Sequence, residues 1–361
     1  MNPFAYARAT DVDGAIAAVR GKSAHARFLA GGTNLIDLMK EGVATPTTLV
    51  DIGRLPLKDI TRAPDGGLLL GALASNARTA DHPLVREHAP LLRSAILAGA
   101  SPQIRNRATN GGNLLQRTRC HYFHDLGVPC NKRLPGSGCP ASTGIARQHA
   151  ILGASADCIA THPSDLCVAL AALDARVHVS SAAGDRVIPF PDFHRLPGDR
   201  PDVDTTLQPE ELVTHLHVPS NRLAAHSTYL KLRERASYAF ALVSVAAALE
   251  LGVDGTVVDA RLALGGVAHK PWRDPGAERL LVGQRPDDTL FLAVARHVLK
   301  DARAWGGPAM PEGLPGNSFK IVLAERAIVR ALGMAVAGIA TNTGEDAFRA
   351  MGRPAAEGAT A

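Results

Sequence analysis

All five cysteines of this 361-residue chain fall between Cys120 and Cys167, with the spacing C-x9-C-x8-C-x18-C-x8-C. Proline and glycine punctuate the stretch around the first three, and neither a helical nor a strand period runs through it. So long a stretch without regular structure is uncommon in a compact domain. We therefore expect something other than an apolar core to order this segment, with the regular fold built on either side of it.

Four of these cysteines are candidate metal ligands, whereas Cys167 lies in the apolar run 166–170 and is better interpreted as a buried thiol. The spacing lacks the C-x2-C pairs of a zinc ribbon. Long loops can deliver four thiolates to an iron–sulfur cluster, although spacing alone favours free or partly paired thiols. His121 and His124 flank the segment, and flanking histidines are more often bystanders than ligands. The four candidates are Cys120, Cys130, Cys139 and Cys158.

Composition excludes several classes of protein. Hydrophobic residues make up 46% and charged residues 20%, which is typical of a globular chain, and no apolar run reaches the ~18–20 residues of a membrane span. The net charge of +5 is scattered and aromatic residues are only 4%, so a nucleic-acid surface is disfavoured. The first residues lack the continuous apolar segment of a secretory signal, and we expect no signal in the chain itself.

Periodicity outside the cysteine segment predicts strands followed by helices, without strict alternation, which indicates an α+β fold. The polar run 220–222 predicts a boundary between residues 1–221 and 222–338, followed by a polar tail at 339–361. The strands are expected at 26–30, 49–52, 68–71, 177–179, 187–188, 212–218, 228–233, 241–251 and 256–264, and the helices at 35–40, 79–98, 164–173, 289–303 and 317–335.

Two diglycine turns are the main candidate ligand-binding motifs. The first, Gly31-Gly32-Thr33-Asn34, joins a strand to a helix, where backbone N–H groups can approach an anion; an ordinary capped turn is the alternative. It is not a G-x-G-x-x-G fingerprint, so a Rossmann site is not supported. The second, Thr109-Asn110-Gly111-Gly112-Asn113, follows Arg105 and Arg107. Together they suggest a pyrophosphate held from two sides by backbone amides.

Two further motifs have equally simple explanations. Ser164 and Asp165 stand at a predicted helix start, where capping explains them about as well as ligand binding does. Lys231, Arg233 and Arg235 alternate along one face of a predicted strand. That pattern is more often a solvated basic edge, but it could place one cation beside a flavin ring.

In this order the motifs resemble the FAD-binding subunit of the molybdenum-containing xanthine dehydrogenase/aldehyde oxidase family, over most of the chain to about residue 335. The resemblance rests on Ala30 to Leu35, the second diglycine turn, Pro163 to Leu166, Glu210 to Leu212, Lys231 to Ala239, and Leu264 to Ala268. It implies two α+β subdomains that hold FAD, a fold of the vanillyl-alcohol-oxidase type, followed by a smaller α+β domain of the CO dehydrogenase flavoprotein type.

The resemblance also implies roles for individual residues. The diglycine turns would cradle the FAD diphosphate, Ser164 and Asp165 would reach the nucleotide portion, and Lys231 would lie near the isoalloxazine. The strand from Glu211 to Val213 would offer backbone contacts. The expected FAD-binding residues are Leu29, Ala30, Gly31, Gly32, Thr33, Asn34, Leu35, Thr109, Gly111, Gly112, Asn113, Ser164, Asp165, Glu211, Val213 and Lys231.

Family members usually join the second turn to the Ser-Asp pair by a short connector, whereas about fifty residues intervene here. This insertion, at about 116–160, contains Cys120, Cys130, Cys139 and Cys158. It resembles that of periplasmic-type bacterial aldehyde oxidoreductases, whose flavin subunit carries an extra 4Fe–4S cluster. The resemblance therefore implies that the four cysteines bind such a cluster.

The implied function is an electron-exit subunit. A large molybdopterin partner would oxidise an aldehyde to a carboxylate, and a small 2Fe–2S partner would pass electrons to FAD here and then to an external acceptor. A signal-bearing partner could carry the folded complex to the periplasm. No residue is nominated as an acid/base catalyst. The alternatives are a flavin subunit of a xanthine or CO dehydrogenase, and a metal-stabilised scaffold without flavin.

Overall fold

The computed structural model describes residues 1–22, 25–236, 238–306 and 316–339, so 340–361 of the expected polar tail lie outside the described residues. Strands and helices mix without strict alternation, and the predicted α+β class is confirmed. The strands are β1 (Ala5–Arg8), β2 (Ala26–Leu29), β3 (Thr48–Asp51), β4 (Ile60–Arg62), β5 (Leu68–Gly71), β6 (Arg176–Ser181), β7 (Gly184–Pro189), β8 (Leu212–Val218), β9 (Ser227–Leu232), β10 (Val243–Leu251), β11 (Val257–Gly265) and β12 (Trp272–Arg273).

The helices are mostly short in the first half of the chain and longer towards its end. They are α1 (Val12–Val19), α2 (Leu35–Lys40), α3 (Asn76–Asp81), α4 (Pro83–His88), α5 (Pro90–Ala98), α6 (Pro102–Arg107), α7 (Asn110–Leu114), α8 (His121–His124), α9 (Asp165–Ala172), α10 (Phe190–Phe193), α11 (Pro275–Leu281), α12 (Asp288–Val298) and α13 (Phe319–Val336), with 3-10 turns at Pro140–Ser142 and Ala224–His226. None of the helices in the described ranges is both long enough and apolar enough to cross a bilayer.

Three sheets organise the molecule. A parallel sheet of order β1-β3-β2 packs against α1, which begins where the Asp11 side chain accepts a hydrogen bond from the Gly14 amide. An antiparallel sheet of order β4-β5-β8-β6-β7 follows, and its hairpin β6–β7 turns at Gly184, whose φ of +111° suits glycine. The third sheet, β12-β11-β10-β9, is also antiparallel.

Strand β10 joins two cores because both of its faces are buried. Ala246 and Ala248 pack in the core that contains α5 and α9, whereas Val245 and Leu249 pack in the core that contains α12 and α13. The alternation along one strand fixes its register, since a slip of one residue would exchange the two faces. The third sheet thereby presents β9 and its Lys231 to the first half of the molecule.

The region predicted as one helical pattern at 79–98 is three helices. Pro83 and Pro90 each stand at the first position of a new helix, where the missing N–H costs nothing and the fixed φ starts a turn. The cysteine segment contains only α8 and one 3-10 turn as regular structure. Hydrogen bonds anchor it to the third sheet, and the amides of Ile151 and Leu152 both donate to the Val267 carbonyl.

Candidate cofactor site

A cavity of about 930 Å³ lies where the first sheet, the second sheet and a loop of the third meet, which is the size of a typical small-molecule site. It is lined by fifteen of the sixteen residues predicted to bind FAD, and only Ser164 lies off its wall. The lining residues from that set are Leu29, Ala30, Gly31, Gly32, Thr33, Asn34, Leu35, Thr109, Gly111, Gly112, Asn113, Asp165, Glu211, Val213 and Lys231.

The two diglycine turns approach each other at this cavity. The Arg107 guanidinium donates to the Gly31 carbonyl at 3.2 Å. A Cβ at Gly31 would stand 2.1 Å from the Arg107 carbonyl oxygen, a distance that no side chain tolerates, and Gly32 has a φ of +77°. Glycine is therefore required in the first turn by close backbone approach and by conformation.

The first turn retains hydrogen-bonding groups for a ligand. Among the described residues, no protein acceptor is found for the amides of Gly31, Gly32, Thr33 and Asn34. The Asn34 side chain accepts from the Arg117 amide at 2.9 Å, and its buried Nδ2 has no partner. A buried donor without an acceptor is costly, so this wall suits an anionic or acceptor-rich ligand such as a dinucleotide diphosphate.

The second turn contributes a closely packed backbone to the cavity wall, but its glycine amides are already bonded. The Gly111 amide donates to the Ala72 carbonyl at 2.8 Å, and the Gly112 amide donates to the Thr109 hydroxyl oxygen at 3.2 Å as a helix cap. A Cβ at Gly111 would lie 3.1 Å from the Cβ of Ala72, which is closer than side-chain atoms usually pack. The expectation of amides from two sides is therefore wrong for this turn, because the Ala72 carbonyl already uses the Gly111 amide and the Thr109 cap of α7 uses the Gly112 amide.

Ser164 supports the second turn from behind. Its hydroxyl donates to Asn113 Oδ1 at 2.5 Å and accepts from the Cys167 amide at 3.1 Å, which caps α9. Asn113 in turn donates to Asn76 Oδ1 at 2.8 Å. Ser164 therefore reaches the cavity only through Asn113, and the expected direct contact with the nucleotide is not what this arrangement provides.

Two histidines that the sequence analysis did not single out hold the end of the same turn. His162 and His194 both direct Nε2 at the carbonyl of Leu114, at 3.3 Å and 2.9 Å. Burial lowers the pKa of His194 to about 4, so its ring is neutral. The pair fixes the end of α7 beside the cavity; an isolated histidine in a sequence carries no signal of such a role.

Asp165 and Lys231 form a buried ion pair at the cavity wall. Lys231 Nζ lies 2.8 Å from Asp165 Oδ2 and 3.1 Å from the Ala98 carbonyl, and the Tyr229 hydroxyl donates to Asp165 Oδ1 at 2.7 Å. The resemblance assigned Asp165 to the nucleotide end of FAD and Lys231 to the flavin end. The ion pair places both side chains at one point of the cavity wall, and the separate roles that the resemblance gives them stay a prediction.

The remaining predicted residues fall into two groups. The Glu211 carboxylate binds Arg186 through both oxygens and accepts from the Gln208 amide at 2.7 Å. The Glu211 amide donates to the Gln208 carbonyl at 3.0 Å, so the predicted backbone contact of Glu211 with a ligand would use its carbonyl and stays a prediction. Arg233 donates to the Ala98 carbonyl at 3.3 Å, and exposed Arg235 donates to the Tyr238 carbonyl at 2.6 Å. Lys231 alone of the three alternating cations lines the cavity.

The four candidate thiols surround one small second cavity of about 10 Å³. A single zinc ion with Zn–S bonds of about 2.3 Å would bring its sulfurs within about 3.8 Å of one another. Within the described part of the chain, no three of these sulfurs all lie within 4.8 Å of one another. These sulfurs are therefore spread more widely than the four ligands of one zinc ion.

Burial dominates the chemistry of these thiols. It raises the pKa of Cys120 to about 12 and that of Cys158 to about 11, so both are neutral without a bound cation. Cys167 lies apart in α9, fully buried, with a pKa that burial raises to about 12. This arrangement matches the expectation of a core thiol at Cys167.

Two more histidines contact these sulfurs. His149 Nε2 lies 3.1 Å from Cys120 Sγ, and His269 Nε2 lies 3.3 Å from Cys158 Sγ. By contrast, His121 is exposed, and His124 binds Glu41 and the Thr118 carbonyl.

Consecutive residues of the chain line the two cavities. Arg119 lines the large cavity, and the next residue, Cys120, lines the thiol cavity. The Arg119 guanidinium stacks on the Phe240 ring, with its carbon 5.0 Å from the ring centroid. One peptide unit therefore separates the walls of the two sites.

Two family models and several known proteins match this chain. The family model described as the FAD binding domain in molybdopterin dehydrogenase matches residues 2–221, and that of the CO dehydrogenase flavoprotein C-terminal domain matches residues 228–311. The chain is 46% identical over 336 residues to the Escherichia coli K12 aldehyde oxidoreductase FAD-binding subunit PaoB, covering 92% of this chain and 98% of that protein.

More distant relatives share the architecture. The glyceraldehyde dehydrogenase medium chain of Sulfolobus acidocaldarius is 28% identical over 295 residues, covering 82% of this chain and 86% of that protein. The structure of carbon monoxide dehydrogenase from Hydrogenophaga pseudoflava superposes with a TM-score of 0.71 at 24% identity, covering 93% of this chain and 98% of that one. At this identity the second likeness shows the fold alone.

Proposed function

The chain belongs to the family of FAD-binding subunits of molybdopterin dehydrogenases, and we propose that it is the electron-transferring flavin subunit of a molybdenum aldehyde oxidoreductase. The most similar relative reported above is the FAD-binding subunit of an aldehyde oxidoreductase, and another is the medium chain of a glyceraldehyde dehydrogenase. Xanthine and carbon monoxide dehydrogenase subunits also match, at lower identity or over less of the chain, so aldehydes are the preferred substrate class.

One observation carries the FAD assignment: the two diglycine turns meet across the large cavity, with Arg107 bonded to the Gly31 carbonyl at 3.2 Å. The amides of the first turn and Asn34 Nδ2 supply donors there, and the packed glycines of the second turn let a ligand approach the backbone closely. These groups match the charge and the hydrogen-bonding needs of a diphosphate. The sixteen FAD-binding residues named from the sequence remain the proposed site, with Ser164 acting through Asn113.

Bound FAD would supply the redox chemistry of accepting electrons and passing them on. The chain's own residues bind, orient and enclose it. The Asp165–Lys231 pair supplies a rigid polar wall, because each charge is held by a partner and Tyr229 fixes the carboxylate. Preorganised donors of this kind stabilise developing negative charge without the cost of reorganising solvent.

We further propose that Cys120, Cys130, Cys139 and Cys158 bind a 4Fe–4S cluster. Support comes from four thiols around one cavity, from sulfurs spread too widely for a single zinc, and from the adjacency of this cavity to the flavin cavity. The ligating sulfurs would be thiolates, since the bound iron removes their protons.

The proposed partners are a large molybdopterin-binding subunit and a small 2Fe–2S subunit, which would deliver electrons to this chain. The proposed domain division is 1–221 with the insertion at about 116–160, then 222–338, then the tail. We also propose that the assembly reaches the periplasm with a signal-bearing partner. Cell fractionation of a tagged chain tests this, and its recovery only with cytoplasmic markers would contradict export.

The test of the function is native co-purification with partners, followed by cofactor analysis and anaerobic addition of substrates. We expect about one FAD per chain, iron and sulfide in excess of the partner's cluster, and bleaching of the flavin absorbance by aldehydes. Bleaching by a purine alone, or by carbon monoxide alone, would show that the complex oxidises that substrate and not aldehydes. Recovery of a lone chain without flavin would overturn the proposal in favour of a scaffold.

A further inference from the structure

The cysteine insertion is held by the domain that follows it in the chain. The amides of Ile151 and Leu152 donate to the Val267 carbonyl at 2.9 and 3.0 Å, and the Arg303 amide donates to the Ile151 carbonyl at 2.8 Å. The insertion also contributes Ile151 to the apolar core of the third sheet. The insertion that carries the four thiols is therefore held in place by segments more than 100 residues further along the chain.

The contact places one histidine from each part against a sulfur. His149, in the insertion, directs Nε2 to Cys120 Sγ, and His269, which follows β11, directs Nε2 to Cys158 Sγ. Both side chains are buried, and the Nδ1 atom of each has no partner among the described residues. The hydrogen bond that each ring makes through Nε2 is to a cysteine sulfur.

The chemistry fixes the direction of these hydrogen bonds. A sulfur that ligates iron has lost its proton and can only accept, so the neutral imidazole must carry its N–H at Nε2. Both rings consequently act as donors to sulfur.

The backbone of His149 is held by the domain that contains the third sheet. The His149 carbonyl accepts from Asn317 Nδ2 at 3.2 Å and from Lys320 Nζ at 2.8 Å, and the same Lys320 group donates to the Gly266 carbonyl at 2.5 Å. Lys320 is fully buried. These two donors tie the backbone of the insertion to the loop that carries His269, so the two histidines are fixed relative to each other.

We propose that His149 and His269 are positioning residues that raise the reduction potential of the cluster through N–H···S bonds to Cys120 and Cys158. This inference rests on the proposed 4Fe–4S site. Reduction adds negative charge that is shared by the ligating sulfurs, and a donor aimed at such a sulfur stabilises the reduced state more than the oxidised one. The protein thereby sets the potential partly from a domain that supplies no ligand.

The test is an EPR-monitored redox titration of the purified complex with His149→Phe, His269→Phe and the double variant. Phenylalanine keeps a ring in each position but removes the donor, so the cluster potential is expected to fall in each single variant and further in the double variant. The FAD potential should stay unchanged. His149→Gln and His269→Gln restore an N–H group, and each should return the potential towards that of the wild type.

His88→Phe in α4 is the matched control, because it removes an imidazole that contacts Arg62 and lies outside both the insertion and the third sheet. It should leave the potential unchanged. If a phenylalanine variant loses iron, wild-type protein labelled with 15N-histidine still decides the question: pulsed EPR of the reduced cluster should show weak coupling to histidine nitrogen, and its absence would overturn the inference.

The outcomes distinguish absence of the cluster from absence of an effect of the two histidines on its potential. Wild-type protein with FAD but without iron and sulfide would remove the cluster and this inference while leaving the flavin function intact. A cluster that is present and keeps the wild-type potential in both phenylalanine variants would overturn the inference alone. A fall in potential that glutamine reverses supports it, since a purely structural role would not depend on the donor.

Discussion

The ammonium group of Lys231 lies 2.8 Å from a carboxylate oxygen of Asp165, although 65 residues separate them in the chain. Both side chains are buried, with 3% and 9% of their surface exposed, and Tyr229 donates to the second carboxylate oxygen. The pair joins β9 of the third sheet to the start of α9, so it holds the cavity wall together across two domains.

Removing one member of this pair should destabilise the protein strongly. Asp165→Asn and Lys231→Met each leave one buried charge without its partner, which costs about 3–5 kcal/mol in the free energy of unfolding. The double variant should cost less than the sum of the two, because no charge is left unpaired. Denaturant unfolding of all four proteins measures the coupling, and strictly additive losses would show that the two groups do not act as a pair.

A methyl group at Gly31 should expel the cofactor. The Cβ of Gly31→Ala would stand 2.1 Å from the Arg107 carbonyl oxygen, so the two diglycine turns must separate. Overpacking of this kind costs about 1–3 kcal/mol, which corresponds to a loss of about 5- to 150-fold in FAD affinity. Gly333→Ala in α13, where a Cβ meets nothing within 4 Å, is the control and should bind FAD normally. Equal FAD content in both variants would contradict a diphosphate site between the turns.

The cysteines should divide into four ligands and one core residue. Cys120→Ser, or the same change at Cys130, Cys139 or Cys158, should remove iron and sulfide from the purified chain. Cys167→Ala should keep them and cost only the packing energy of a small buried side chain, about 1 kcal/mol. Metal and sulfide analysis distinguishes the groups. Iron retained in all four serine variants, or lost on changing Cys167, would refute the assignment.

Lys320 should make stability depend on pH. Burial lowers its pKa from 10.5 to about 7, so between these pH values the unfolded chain holds a proton that the folded chain has released. Stability contributed by this group therefore rises with pH from about 7 towards 10.5. Lys320→Met lacks this dependence. The thermal midpoint of the wild type should therefore rise relative to that of the variant as the pH increases. Parallel profiles would show that the group titrates normally.

Local signals in the sequence predict the parts of the fold that depend on them. The helix at 35–40 and the strands at 68–71 and 212–218 agree with the structure residue for residue, because a glycine or proline lies within two residues of one end of each. The pattern at 79–98 predicts one helix, since periodicity continues through Pro83 and Pro90, but both prolines begin new helices.

Contacts between distant segments could not be predicted in the same way. The resemblance places Asp165 and Lys231 at the cavity, yet nothing in either motif signals that the two neutralise each other. The amides of Gly111 and Gly112 look available in the sequence and are used by Ala72 and Thr109 in the fold. His149 and His269 are single histidines without a spacing pattern, and only the packing of the insertion on the third sheet brings them to sulfur.

The central claim is that a flavin dinucleotide lies with its diphosphate between the two diglycine turns. A crystal structure of the purified complex tests it most directly. The account predicts density for the diphosphate against the amides of Gly31 to Asn34, facing Gly111 and Gly112, with Asn34 Nδ2 bonded to the ligand. Flavin bound elsewhere on the chain, with these turns facing only solvent, would contradict it.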